Sequence, residues 1–273
     1  MAFQRLQYYC SKCENVLRET ESEIILGGIS EPCPFCGSLL SESLGKRRLG
    51  QKAGNVPVFQ AASKVPRLTI DIRKVDSMLP FLSLGQRILL SGRQSQKIIE
   101  RLAVRAQLPH RHGGLDSDVV IVDGGNSSDP YLCINFARQY GLDVSITLSR
   151  IISARAFTIY QLENLISREL LPVVKKRGAK IVMISDMLAM FSDPHLDMKD
   201  AARQIGSILE SISKLRECLV IASVSGPTRY DDVISRSFDR VIHLHDGEDG
   251  VSVGLEESRC AIREDDLEVI SRR

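Results

Sequence analysis

The 273-residue chain contains no stretch approaching the roughly 18 uninterrupted apolar residues of a membrane-spanning helix. It has almost no excess of charge of either sign. Thirty-six lysines and arginines stand against 34 aspartates and glutamates, a formal net charge of +2, so the composition carries no global attraction to nucleic acid. The opening Met1-Ala-Phe-Gln-Arg5 is followed by no apolar signal core, and a cytoplasmic location is expected. Internal repeats and low-complexity tracts are also lacking. Hydrophobic residues at 43% and charged residues at 26% are ordinary for a globular protein. A chain of this length buries roughly three quarters of its unfolded surface, enough to be stable without staples. A membrane protein, a secreted disulfide scaffold and a disordered tail are thereby set aside.

Cysteine, in contrast, is present and unevenly placed. Four of the seven fall in two Cys-x-x-Cys pairs, Cys10 with Cys13 and Cys33 with Cys36, nineteen residues apart. Such a spacing turns two thiolates toward one centre, and two such knuckles supply four sulfurs around Zn²⁺. The second knuckle reads Cys-Pro-Phe-Cys-Gly, where Gly37 eases the tight turn. A structural zinc is expected, since no ligand position stays open for water. Two disulfides are the alternative, disfavoured in a chain of cytosolic character. Cys133, Cys218 and Cys260 lie in apolar runs and are expected in the core.

Between Lys46 and Arg67 there are six basic residues, Lys46, Arg47 and Arg48 among them, and no acidic ones, with Gly50, Gly54, Pro57 and Pro66 interspersed. This is linker chemistry, with contact to a phosphate backbone as the alternative. The resulting division is a zinc ribbon over 1–45, a basic linker over 46–66 and a core over 67–273. In the core, apolar runs at Arg87–Ser91, Asp118–Asp123, Lys180–Ser185, Cys218–Val224 and Arg240–Leu244 alternate with helical periodicity at Ser95–Gln107, Tyr131–Tyr140, Thr158–Lys176 and Lys199–Arg216. That alternation predicts an α/β fold with a mainly parallel sheet covered on both faces. Asp239 to Ile262 reads as adjacent strands around a turn at Gly247 and Gly250, an antiparallel edge.

The order of motifs resembles the RecA/RadA family of recombinase ATPases over Leu68 to Ile262. Leu68-Thr-Ile-Asp-Ile-Arg-Lys-Val-Asp-Ser-Met-Leu79 is similar to the family's apolar helix ahead of the phosphate-loop strand. Ile121-Val-Asp-Gly-Gly-Asn-Ser-Ser-Asp-Pro130, then Ala137-Arg-Gln-Tyr-Gly-Leu142, resembles the archaeal and eukaryotic strand-exchange branch, as does Ser153-Ala-Arg-Ala-Phe157. The resemblance implies a RecA-like P-loop core.

At the catalytic positions the chain departs from that family. A phosphate loop needs G-x-x-x-x-G-K-[ST], and the corresponding segment is Ser91-Gly-Arg-Gln-Ser-Gln-Lys-Ile98. Lys97 is kept, but Gln96 replaces the second glycine and Ile98 cannot ligate Mg²⁺. Ile181-Val-Met-Ile-Ser-Asp186 reverses the family's Asp-Ser order, and one residue along a strand turns a side chain to the other face. The family's water-activating Glu, two residues after the strand-ending Asp123, is replaced by Gly125, and its Asn-Gln sensor by Ser223-Val224. Phosphoryl transfer rests on positioning and charge stabilisation, so a pseudo-ATPase is expected. Nucleotide binding stays open, with Gly92, Lys97 and Asp186 as the residues that would carry it; Lys97 as a plain helical lysine is the alternative.

The resemblance implies two further surfaces. The family's long DNA-contacting loop is reduced to Ser225–Val233, where Asp231 and Asp232 repel phosphate while Arg229 and Tyr230 could touch a single strand. Phe59-Gln-Ala-Ala62 matches the Phe-x-x-Ala pattern by which this branch polymerises, the Phe entering an apolar pocket of a neighbouring core; a local packing role is the alternative. Solvated roles are expected for His110-Arg111-His112 and for Asp265 and Asp266, and His243 and His245 share a strand face without a third ligand. The combined expectation is a non-catalytic paralogue that binds or regulates a recombinase in homologous recombination and DNA repair, reaching DNA mainly through that partner. Two other readings remain: a weakly active ATPase using Lys97 and Asp186, and a RecA-fold scaffold away from DNA.

Overall fold

The structure is a computed structural model that describes residues 5–12, 16–20, 32, 38–39, 44–49, 66–79, 81–193, 195–247, 250–255 and 258–270. The chain divides into two compact units between Gln60 and Ala61.

In the first unit, strands β1 (Arg5–Cys10), β2 (Val16–Thr20) and β3 (Leu44–Leu49) form an antiparallel sheet in the order β2-β1-β3. β3 pairs with β1 from Leu44 opposite Cys10 to Leu49 opposite Arg5. The backbone of Lys46, Arg47 and Arg48 therefore belongs to this sheet, and the sheet runs past the boundary expected at residue 45. Basic, glycine-flanked composition reads as linker, yet an edge strand tolerates it because strand pairing needs only the backbone N–H and C=O groups.

The second unit opens with a small ribbon of β4 (Arg67–Leu68) and β5 (Leu82–Ser83) enclosing the helix Arg73–Met78. An eight-stranded sheet follows, of β6 (Arg87–Ser91), β7 (Val119–Asp123), β8 (Ile151–Arg155), β9 (Ile181–Ser185), β10 (Leu219–Val224), β11 (Arg240–Gly247), β12 (Gly250–Leu255) and β13 (Ser258–Ile262). Their order is β13-β12-β11-β6-β10-β9-β7-β8, parallel from β11 to β8 and antiparallel from β11 to β13. Every residue of β7, β9 and β10 is buried, as a parallel strand covered on both faces requires.

Strand alternation separates two cores. Ile88, Leu90, Ile121, Met183 and Ile221 pack with the helix Ser95–Arg105. Leu89, Val122, Val182, Ile184 and Val220 pack with the helices around Ile159–Arg177 and Met198–Ser213. The helices begin where side-chain oxygens can serve the free N–H groups of the first turn. Asp129 accepts from Tyr131 and Leu132, Asp197 from Lys199 and Asp200, and Thr158 from Gln161. Pro172 has no N–H for the carbonyl four residues back, and the turn before it, Leu165–Glu169, widens to π geometry. Gly250 closes the β11–β12 turn at φ +140, where a side chain would overlap the Ile262 carbonyl. Cys133 and Cys218 are buried, but Cys260 is only partly covered, because β13 is the outermost strand. Among the described residues no helix is long and apolar enough to cross a membrane.

Candidate functional site

The carboxyl ends of β6, β10, β9 and β7 lie side by side, the usual position of a ligand in an open α/β sheet. The chain leaves β6 through Gly92 at φ +122, whose N–H donates to the Val224 carbonyl at 2.9 Å. A Cβ here would run into the backbone carbonyl of Leu244, so only glycine fits. The Ser95 N–H donates to the Gly92 carbonyl at 3.1 Å, and the helix starts at once.

Gln96, at the position of the missing glycine, turns its side chain in among the strand ends. Its Oε1 accepts from the Ser127 hydroxyl at 3.2 Å and, at short range, from the Ser185 hydroxyl at the end of β9. Its Nε2 donates to Glu100 Oε1 at 2.7 Å. Glu100, 2% exposed, also accepts from the Asp129 N–H at 3.0 Å and from the Cys133 thiol at 2.8 Å. Burial pushes the Glu100 carboxyl above the usual carboxylate range, against the pull of these three donors. Burial, then the charge of Glu100, pushes the Cys133 thiol up as well, so Cys133 is an unreactive donor. One amide thus ties the helix after β6 to the loop after β7 and to the end of β9.

The carboxylates of the neighbouring strands are engaged elsewhere. Asp123, 1% exposed, accepts from the N–H groups of Ser127 and Ser128 at 3.1 and 3.2 Å and pairs with Arg155 at 3.3 Å. It folds its own loop. Asp186 lies one residue past β9 at φ +45, its N–H donating to Ser223 Oγ at 2.8 Å. Its carboxylate accepts from the N–H and hydroxyl of Ser225 at 3.0 and 2.8 Å. A Cβ at Gly125 would come within 2.5 Å of the Asp186 Cβ. No carboxylate fits at residue 125 while Asp186 keeps this place, and Ser223 is committed to a backbone N–H. Lys97 extends to Glu264 at 3.0 Å and Glu268 at 2.7 Å. Of the three residues expected to carry nucleotide, Gly92 and Asp186 bond the adjacent Val224 and Ser225 at the end of β10, while Lys97 pairs with the C-terminal segment.

That loop is short and closed on itself, with Thr228 donating to Asp231 from its N–H at 3.1 Å and its hydroxyl at 2.6 Å. The Tyr230 ring packs edge-on against Phe191 at 6.2 Å, with the Arg229 guanidinium 5.5 Å from its centre. The ring is half-buried rather than presented for stacking. His243 and His245 stack at 5.9 Å on β11, and burial, followed by His245 and Arg259, lowers the His243 pKa. Phe59, Ala62, Cys13, Cys33 and Cys36 lie outside the described residues. Cys10 is buried at the end of β1 with its Sγ 3.5 Å from Ser38 Oγ, and an antiparallel bridge joins Pro32 and Leu39, which flank the second cysteine pair.

At the far side of the sheet, β8 pairs only with β7 among the described residues. Beside it runs an apolar cleft lined by Val120, Val122, Ile152, Ala154, Leu165 and Leu170, with Glu169 also in its lining. Phe157 and Tyr160, 70% and 56% exposed, continue it past the strand end. Sequence reasoning missed this cleft, because its walls come from three separate segments.

The core thus has the parallel sheet, the glycine turn and the first-turn lysine of a nucleotide-binding α/β domain, with Gln96 and Asp186 hydrogen-bonded within the fold at its strand ends. A family model for Rad51 matches residues 91–228, from the last residue of β6 to the loop after β10. That span is just over half of the chain and includes the whole of the altered site; the chain belongs to the Rad51 family, with the RecA-type core that its motifs imply.

Proposed function

We propose that this Rad51-family protein acts without hydrolysing ATP, as a subunit that binds or regulates an active recombinase of the same fold during homologous recombination and DNA repair. The observation that carries the reading is Gln96. Its amide reaches from the helix after β6 to the strand ends and bonds the strand-ending hydroxyl, Ser185, where the family has a metal-side carboxylate. With Asp186 held by Ser225 and no side chain possible at Gly125, metal ligand and general base are both missing. The weakly active ATPase is the poorer reading, since Lys97 and Asp186 point to different partners.

Association is supported by the edge of β8, which pairs only with β7 among the described residues, and by its apolar cleft, which suits an added strand carrying an aromatic anchor. The Phe59-Gln-Ala-Ala62 segment is the complementary donor, able to enter the equivalent cleft of a partner. DNA is reached chiefly through that partner, with at most a salt-sensitive contribution from Lys46, Arg47 and Arg48. The four N-terminal cysteines hold one structural zinc. Buried Cys10 beside Ser38, and the Pro32–Leu39 bridge across the second knuckle, fit that ligand set.

The test mixes the full chain with the recombinase of its own host and follows the complex by size-exclusion chromatography with light scattering. A complex is expected, and Phe59→Glu is expected to abolish it by placing an unpaired charge in an apolar pocket. A complex unaffected by Phe59→Glu and by Ala62→Glu overturns the anchor. Absence of any complex overturns the partner reading itself.

A further inference from the structure

The C-terminal segment is fastened across the phosphate-loop helix by contacts that leave it little freedom. Leu267 is fully buried. Arg101, itself fully buried, donates through Nη1 to the carbonyls of Asp266 at 2.8 Å and of Leu267 and Val269 at 3.4 Å. Gln139 donates to the Glu268 carbonyl at 2.8 Å and accepts from the Ile270 N–H at 2.7 Å. Leu267 is thereby pinned between Glu264 and Glu268, whose carboxylates meet on one atom, Lys97 Nζ, at 3.0 and 2.7 Å. Gln94, three residues before Lys97, donates to Asp246 at 3.0 Å and to Glu264 at 3.4 Å.

Two carboxylates on one ammonium more than neutralise it. The Lys97 side chain is 24% exposed, and both partners stay open to solvent on their far sides. Although burial works to lower it, the Lys97 pKa is held above the ordinary lysine range by the hydrogen bonds of Glu268 and Glu264. Beside the clasp lies an open cleft of about 490 Å³, whose lining includes Gln94, Asp246, Arg263 and Glu264. The cleft meets Lys97 only through its partner Glu264 and has Asp265 in its lining as well, so carboxylates of the chain itself both take the lysine's charge and dominate the space beside it.

We infer that the C-terminal strap is an internal competitor for polyphosphate: Glu264 and Glu268 hold Lys97 where an external phosphate chain would otherwise bind it, and keep the site closed to anions. The two carboxylates supply the counter-charge that phosphate oxygens would supply. The strap does not depend on the Gln96 network, which lies deeper among the strand ends and blocks metal chemistry, not surface attachment of an anion. Removing the strap's charge while keeping Leu267 in place should expose Lys97 without unfolding the helix.

The test measures binding of inorganic tripolyphosphate to the full chain by calorimetry at low ionic strength. Glu264→Gln with Glu268→Gln is expected to bind about tenfold more tightly than the wild type, a coupling of ordinary size for competing sites. Adding Lys97→Met to that variant is expected to abolish the gain. Glu268→Gln alone, which keeps Glu264 as a hydrogen-bonding partner, should show a smaller gain and serves if the double variant does not fold by circular dichroism. A folded strap variant with unchanged or undetectable binding overturns the inference, and so does a gain that survives Lys97→Met. Association with a recombinase is untouched by any of these outcomes.

Discussion

Gln96 stands where the family's phosphate loop has its second glycine, and its side chain is fully engaged within the fold. Its amide presents an oxygen to Ser127 and Ser185 and an N–H to Glu100, so each of these polar groups has a partner. Restoring the family's glycine would take those partners away together. Leaving a buried donor or acceptor unpaired costs about 1–3 kcal/mol, and glycine near a helix start adds backbone entropy loss. Gln96→Gly is therefore expected to lower the unfolding free energy by about 1–3 kcal/mol in a denaturant titration, without conferring ATP hydrolysis. Glu100 adds a pH dependence. Its folded pKa lies above the ordinary glutamate value because burial disfavours the charge. Its stabilising contribution is full below that ordinary value and is lost as pH rises through the raised folded value. Glu100→Gln is expected to flatten stability against pH across that window, so the variant improves relative to wild type as pH rises. Parallel curves for the two proteins would contradict this assignment.

Legibility in the sequence follows how local the signal is at the level of elements. β7, β9 and β10 are continuous apolar runs because both their faces are covered, and they read directly as strands. β8 does not. Ile151 and Ile152 are followed by Ser153, Ala154 and Arg155, since among the described residues β8 pairs on one side only and no residue in it is fully buried. The short helix Val144–Ser149 is equally hard to see, its start marked only by the Asp143 cap. Among site residues, the losses at 96, 98 and 125 were readable as departures from a motif. What Gln96 bonds to, and which carboxylates clasp Lys97, were not, because the partners stand up to 171 residues away in the chain and are joined only by the fold. The zinc expected at the N-terminal cysteine pairs rests on their spacing alone, with Cys13, Cys33 and Cys36 outside the described residues. Cys33→Ser is expected to release one zinc per chain by elemental analysis and to unfold the ribbon while the thermal transition of the core stays in place. A metal-free wild-type protein with two oxidised pairs would contradict the assignment.

At the scale of the whole molecule, the sheet, the glycine turn and the helix of a nucleotide-binding domain persist while the space between them is filled from within. Gln96 fills it from the helix, Asp186 and Gly125 close the strand ends against each other, and Glu264 and Glu268 cover Lys97 from the C-terminus. The Gln96 and Lys97 contacts are satisfied hydrogen bonds or ion pairs, and the Asp186–Gly125 approach is steric. The β8 edge, which pairs only with β7 among the described residues, and the Phe59–Ala62 segment are the surfaces to test. The central claim, that no phosphoryl-transfer machinery operates here, is tested most directly by ATP turnover of the purified full chain with and without single-stranded DNA. Phosphate release indistinguishable from a protein-free control in both conditions is the predicted result. Turnover above that control which disappears in Lys97→Ala would contradict it.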